Sequence, residues 1–224
     1  MSTIAAPHVH QKKKSPYPLL KVLATGAILA LALAFVLKYV FHYYLNYNQA
    51  TFAADAANYW PMRGWLLMHI TGGMVALLVG PSQFWTGFRV RFARLHRITG
   101  FVFLGAVAVG SIGAYHMAYS TTFGWGFGFA LAAMATAWVT TTGVAYYAIL
   151  KRRIQIHKEW MARAYVVTFS FVTFRVFNDY GPTSHLQPAD IRSVSIAWAS
   201  VTIPLFITIV VQQLWRMRSS STAI

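Results

Sequence analysis

The chain contains no cysteine and only four acidic residues among its 224. The lack of cysteine excludes disulfide bonds and thiolate metal sites. Because 19 lysines and arginines face so few carboxylates, the net charge is +15 at pH 7. Long stretches carry no charge at all, and 57% of the residues are hydrophobic. This composition excludes an ordinary soluble domain and is typical of a membrane protein.

The positions of the basic residues show what the positive charge means. Lysine and arginine concentrate in short segments beside the apolar runs: the N-terminal tail, residues 89–97, residues 151–153 and the C-terminal tail. This distribution does not indicate nucleic-acid binding, because no separate basic surface is formed. Under the positive-inside rule it predicts that both termini lie in the cytoplasm.

Six apolar runs are long enough to cross a bilayer as helices. We therefore predict an all-α integral membrane fold, a six-transmembrane-helix bundle at residues 19–216 between cytoplasmic tails at 1–18 and 217–224. The expected spans, in chain order, are Leu19–Phe41, Gly64–Phe84, Ile98–Tyr119, Trp125–Leu150, His157–Phe177 and Val194–Trp215.

Histidines lie near both ends of these runs. The segment Arg91–Ser120 carries His96 near one end and His116 near the other, roughly 30 Å apart along a helix. If the preceding hairpin is centred near residue 92, His69 lies at the depth of His116. His157 opens the fifth run, at the surface where His96 lies. The sequence thus predicts an outer pair, His69 and His116, and an inner pair, His96 and His157.

Paired imidazoles on neighbouring helices are the usual axial ligands of haem b. Three of the four histidines have a glycine one turn away (Gly73, Gly113 and Gly100), which leaves room for a flat macrocycle. We therefore expect haem b, with one outer site favoured over two. For the outer pair, hydrogen bonding across a helix interface and a copper or other metal site stay open. For the inner pair, the alternatives are a site for a lipid phosphate or quinone headgroup, and solvated surface histidines.

One arginine lies inside an apolar run. Arg175 is in the outer half of the fifth run, and Asp179 follows it by four residues. That spacing fits an ion pair at a helix end. The functional alternative is that Arg175 contacts a haem propionate or an anionic substrate beside the outer histidines.

Four short motifs carry a resemblance to a known family. They are His-Ile-Thr-Gly-Gly at 69–73, Gly-Pro-Ser-Gln at 80–83, Leu-His-Arg-Ile-Thr-Gly at 95–100 and His-Lys-Glu-Trp-Met-Ala-Arg at 157–163. Together they resemble an uncharacterised bacterial family of multi-span membrane proteins, a domain of unknown function. This resemblance implies a multi-pass protein of the bacterial inner (plasma) membrane.

The layout is also similar to that of two-haem b-type membrane cytochromes, such as the six-helix ascorbate-dependent ferric reductases. Those proteins place the ligands on four consecutive helices, with the second helix of the bundle paired with the fourth and the third paired with the fifth. His96 and His157 match the third-to-fifth pairing. The fourth span of this chain has no histidine, so His69 has to pair with His116 instead.

Three functions follow from these observations. The first is a b-type haem protein that transfers electrons across or within the membrane, from a quinol or a cytoplasmic donor to an outer acceptor. The second is a non-enzymatic protein that handles haem or copper, or an assembly factor. The third is an accessory transmembrane subunit of a larger respiratory or membrane complex, in which the histidines are structural. Membrane lipids are the expected partners in all three cases.

Overall fold

The computed structural model describes residues 18–53, 59–182 and 189–221, and all the regular structure in these ranges is helical. The elements are α1 (Pro18–Phe35), a π-helical turn (Val36–Val40), α2 (Phe41–Leu45), α3 (Gln49–Ala53), α4 (Arg63–Phe84), α5 (Thr86–Arg91), α6 (Ala93–Ser120), α7 (Trp125–Leu150), α8 (Ile154–Tyr180) and α9 (Ala189–Ser221). The predicted N-terminal tail lies outside the described residues except for Pro18. The predicted C-terminal tail is helical as far as Ser221.

Five of the described helices are long and apolar enough to cross a membrane. They are Val22–Leu45, Arg63–Phe84, Ala93–Ser120, Trp125–Leu150 and Ile191–Arg218. Their outward surfaces carry many exposed large apolar side chains, which contact lipid in such a protein. The prediction of a helical membrane bundle is therefore confirmed.

The sixth predicted span corresponds to α8, which is long enough to cross but less apolar than the other five. It has 27 residues, and its uncharged stretch covers only residues 164–174. Lys158 and Glu159 lie in its first two turns, and Asp179 lies near its end. The structure therefore supports five candidate spans within its described residues, and a crossing by α8 stays a prediction.

Helices α4, α6, α7 and α8 surround the main core, with α9 against α7 and α8 and with α1 against α4. Trp138 of α7 lies at the centre and is fully buried, beside Phe103 of α6 and Val167 of α8. Its indole nitrogen donates a hydrogen bond to the Thr168 hydroxyl at 2.8 Å. This bond satisfies the polar edge of a large aromatic side chain inside an apolar core.

Glycines set the register between α4 and α6. A Cβ added at Gly72 would lie 2.5 Å from the Ala106 carbonyl oxygen and 2.6 Å from the Gly110 Cα. The two backbones are therefore in direct contact, as small residues allow in membrane helices. Gly113 of α6 likewise contacts the backbone of α4, at the Trp65 carbonyl oxygen and the His69 nitrogen. His69 thus lies opposite Gly113, and this register fixes the depth of every side chain on the two helices.

Candidate functional site

His69 is held by a hydrogen bond across the α4–α6 interface. Its Nδ1 lies 3.0 Å from the Gly110 carbonyl oxygen. Because a carbonyl oxygen only accepts, Nδ1 carries the proton and Nε2 is left as an acceptor or a ligand atom. The ring also packs edge-on against Phe171 of α8, with 4.9 Å between the ring centroids. The tautomer and the orientation of the ring are both fixed by the fold.

His116 lies about one helical turn from the depth that the sequence predicts. Its ring stacks on Trp65, with 4.2 Å between the centroids, and its Nε2 is 3.4 Å from the Ser120 hydroxyl. Trp65 is four residues before His69 on α4, so His116 lies about 6 Å nearer the N-terminal end of α4. The two rings thus have different partners, and the level outer pair expected from the hairpin midpoint is not formed.

A cavity of about 170 Å³ opens beside His69 among α1, α4, α7 and α8. Gly73 and Arg175 also line it, so two of the predicted outer-site residues share a cavity with His69. His116 is not among the described residues that line it. A cavity of about 150 Å³ holds one benzene ring, so this space suits a single ring system rather than a porphyrin.

The three predicted glycines differ in what lies beside them. A Cβ added at Gly73 would meet nothing within 4 Å, and one at Gly100 would meet only the Gln83 side chain, at 3.7 Å. Gly113 leaves no such room, because a Cβ there would be 2.8 Å from the His69 backbone nitrogen. The expectation that Gly113 makes space for a macrocycle beside His116 is therefore wrong: the backbone of α4 occupies that space.

His157 repeats the geometry of His69 at the opposite end of the bundle. Its Nδ1 lies 2.9 Å from the Ala145 carbonyl oxygen of α7, so this nitrogen is the donor and Nε2 is left as an acceptor. The tight connection at 151–153 brings the two helices together, and Arg152 there adopts a left-handed conformation (φ 57°). Histidines that ligate metals are commonly held in this way by a backbone carbonyl.

His96 is the second histidine at this end of the bundle. It lies within electrostatic range of His157 and of Arg89. Its Nδ1 is buried and makes no hydrogen bond to any described residue. A buried polar atom without a partner is costly, which suggests that a ligand satisfies it. The structure therefore brings the predicted inner pair into one neighbourhood, next to basic side chains.

Three polar features were not anticipated from the sequence as parts of a site. The first is the bond between Trp138 and Thr168, which spacing alone does not reveal. The second is the Tyr39 hydroxyl, which is buried next to the cavity and interacts with the Asp179 carboxylate. A phenol inside an apolar run was the available signal for it. The third is the buried Glu159 carboxylate, which binds Arg216 of α9.

These features define a class: a helical membrane protein with fixed histidines near both ends of its bundle and a cavity lined by aromatic side chains. Within the described residues there is no cluster of three or more histidine, cysteine or acidic residues that could hold a metal ion. The chain belongs to the family described as "Predicted membrane protein (DUF2306)", whose model matches residues 66–215. No curated protein and no solved structure matches the chain.

Proposed function

We propose that this protein is a b-type haem protein of the bacterial plasma membrane that transfers electrons, and that His96 and His157 hold one haem at its inner end. One observation carries the proposal. His96 has a buried ring nitrogen without a partner, and it lies beside a histidine whose tautomer leaves Nε2 available. Imidazoles on two helices are the ligand set that a low-spin haem b requires.

The electrostatics at this end of the bundle favour the same ligand. The positive charge of Arg89 lies close enough to His96 to interact with it electrostatically. Three further basic residues lie within the first two turns of α6 and α8: Arg94, Arg97 and Lys158. Haem propionates are anions, and arginine and lysine are their natural partners at a membrane surface. Gly100 adds space one turn further into the bundle on the side of His96.

The outer pair supports a haem less well. His69 and His116 differ in depth by about one turn, and the cavity at His69 has the volume of a single ring rather than a macrocycle. We therefore propose one haem at the inner pair, which reverses the preference drawn from the sequence. When bound, the haem supplies reversible one-electron chemistry, and the protein contributes the axial nitrogens, their fixed orientation and a basic surface.

The proposed topology has six spans and cytoplasmic termini, with α8 as the fifth span. The cation bias supports it, because residues 89–97 and 151–153 lie at the end of the bundle that carries His96 and His157. The charges of α8 then need partners inside the protein. Glu159 has Arg216, and Arg163 donates from Nε to the Gln212 side chain at 2.8 Å.

The visible spectrum of the detergent-purified protein tests this function. A dithionite-reduced-minus-oxidised spectrum with sharp haem b bands, lost in His157→Ala, is the expected result. The matched control is His42→Ala, which removes an exposed histidine near the outer end of the first span and should leave the bands unchanged. A flat spectrum from protein expressed with adequate haem would overturn the proposal, and metal analysis of that sample would then test copper handling.

A further inference from the structure

The cavity beside His69 has features of a binding site that the inner haem does not use. Its walls are mainly aromatic and aliphatic, and few polar side chains reach it. Apolar walls with a small number of placed polar groups are typical of sites for small molecules. Its volume of about 170 Å³ is close to that of a cavity that holds one benzene ring.

The polar groups at this cavity can both donate and accept hydrogen bonds. Nε2 of His69 is an acceptor, because Nδ1 donates to Gly110. The Tyr39 hydroxyl is buried and donates towards the Asp179 carboxylate, so its oxygen is left to accept. Arg175 supplies a donor, with its guanidinium carbon 5.7 Å from the centre of the Tyr39 ring. A ligand that meets all three needs oxygen atoms that can both donate and accept.

The backbone of the first span is irregular at the same place. A π-helical turn, Val36–Val40, interrupts the helix, and Val36, Tyr39 and Val40 all line the cavity. Single π-helical turns inside α-helices occur frequently at functional sites, because they redirect side chains that a regular helix would place elsewhere. Tyr39 of this irregular turn thus lines the same cavity as His69 of α4.

We propose that this cavity binds the ring of a lipid-soluble quinol or quinone, with His69 and the Tyr39 oxygen accepting hydrogen bonds from ring hydroxyls and with Arg175 donating to a ring oxygen. Such a ring is flat and about the size of the cavity, and its oxygens donate when reduced and accept when oxidised. It reaches the site from the bilayer. The proposal rests on the proposed function only for the redox role of the ligand, because binding itself needs no haem.

Quenching of tryptophan fluorescence by decylubiquinol, the reduced form that can donate to His69, measures this binding in the full-length protein in detergent. We expect saturable quenching in the wild type and in His157→Ala, which lacks a proposed haem ligand. Saturable quenching in both proteins, with no haem bands in the wild type, would contradict the proposed haem function and support this site. Haem bands in the wild type without saturable quenching would support the haem function and contradict this site.

Two variants locate the ligand. Gly73→Leu should raise the apparent Kd at least about tenfold, because its side chain grows into the cavity, where an added Cβ meets nothing within 4 Å. Gly105→Leu is the control: it adds the same side chain to an exposed position of α6 and should not change the Kd. Equal quenching in Gly73→Leu and in the wild type would exclude this cavity. The melting temperature of Gly73→Leu checks that the bundle still folds.

The hydrogen bonds are tested separately from the apolar walls. Tyr39→Phe keeps the ring and removes only the hydroxyl, and we expect it to weaken the binding of decylubiquinol severalfold. Decylbenzene has the same tail without ring oxygens, and it should compete poorly for the site. Equally strong competition by decylbenzene, with no effect of Tyr39→Phe, would show an apolar cavity that accepts any hydrocarbon and would overturn the assignment.

Discussion

A methyl group added at Gly113 would lie 2.6 Å from the carbonyl oxygen of Trp65, because the backbones of α6 and α4 meet there with no side chain between them. This contact, with the one at Gly72, sets how far α6 is shifted along α4. It places His69 against Gly110 and His116 against Trp65. The positions of His69 and His116, two of the four candidate ligand histidines, therefore depend on these glycines.

Gly113→Ala should destabilise the bundle by about 1–3 kcal/mol, because overpacking forces the two helices apart. Gly105→Ala is the matched control on the same helix: its added methyl group meets nothing within 4 Å. That change should be neutral or stabilising, since glycine disfavours a helix interior by about 0.5–1 kcal/mol relative to alanine. Thermal unfolding in detergent checks both. Equal melting temperatures would show that this close contact does not exist.

Thr168→Val should lower the free energy of unfolding by about 1–2 kcal/mol, because it leaves the buried Trp138 indole N–H without its acceptor. The control is Thr202→Val on α9, where the exposed hydroxyl donates to the Trp198 carbonyl of its own helix. That change should have little effect on the melting temperature. A Thr168→Val variant as stable as the control would contradict the placement of Trp138 at the centre of the core.

Glu159→Gln should loosen the contact between α8 and α9, because the buried carboxylate accepts hydrogen bonds from Arg216 of α9. The melting temperature of the variant should be lower than that of the wild type. Added salt should change the melting temperature of the wild type more than that of the variant, since Arg216 is half exposed. The double variant Glu159→Gln with Arg216→Gln should be no less stable than Glu159→Gln alone, because the two side chains form one interaction. Additive losses would show that they act independently.

Reporter fusions test whether α8 crosses the membrane. Fusions after Ser120 and after Gly181 should report the outer side, and a fusion after Lys151 should report the cytoplasm. If α8 lies on the surface instead, the fusions after Lys151 and Gly181 will report the same side. Equal sidedness after Ser120 and Lys151 would contradict a crossing by α7 as well.

The positions of the helices could be predicted from the sequence, but the register between neighbouring helices could not. α7 has the predicted limits, Trp125–Leu150, because Gly124 (φ 83°) precedes its apolar run and charged residues follow it. α6 begins five residues before its predicted start, at Ala93, because arginine and leucine continue a helix that hydropathy alone does not detect.

The depth of His116 could not be obtained from the hairpin midpoint for a physical reason. The connection contains a further short helix, α5, and glycine contacts decide the register. His96 and His157 begin helices that start at the same end of the bundle, so helix order alone predicts that the two histidines lie near the same membrane surface. The hydrogen bonds that fix His69 and His157 on carbonyl groups of neighbouring helices have no signal in the sequence.

The ratio of haem to protein tests whether His96 and His157 hold a haem. We expect one haem b per chain in the purified wild type and in His116→Ala, and almost none in His96→Ala or His157→Ala. Melting temperatures close to that of the wild type would show that these variants still fold. Two haems per chain, or a haem lost in His116→Ala and kept in His96→Ala, would contradict the inner site, and a wild type without haem would contradict the proposed function.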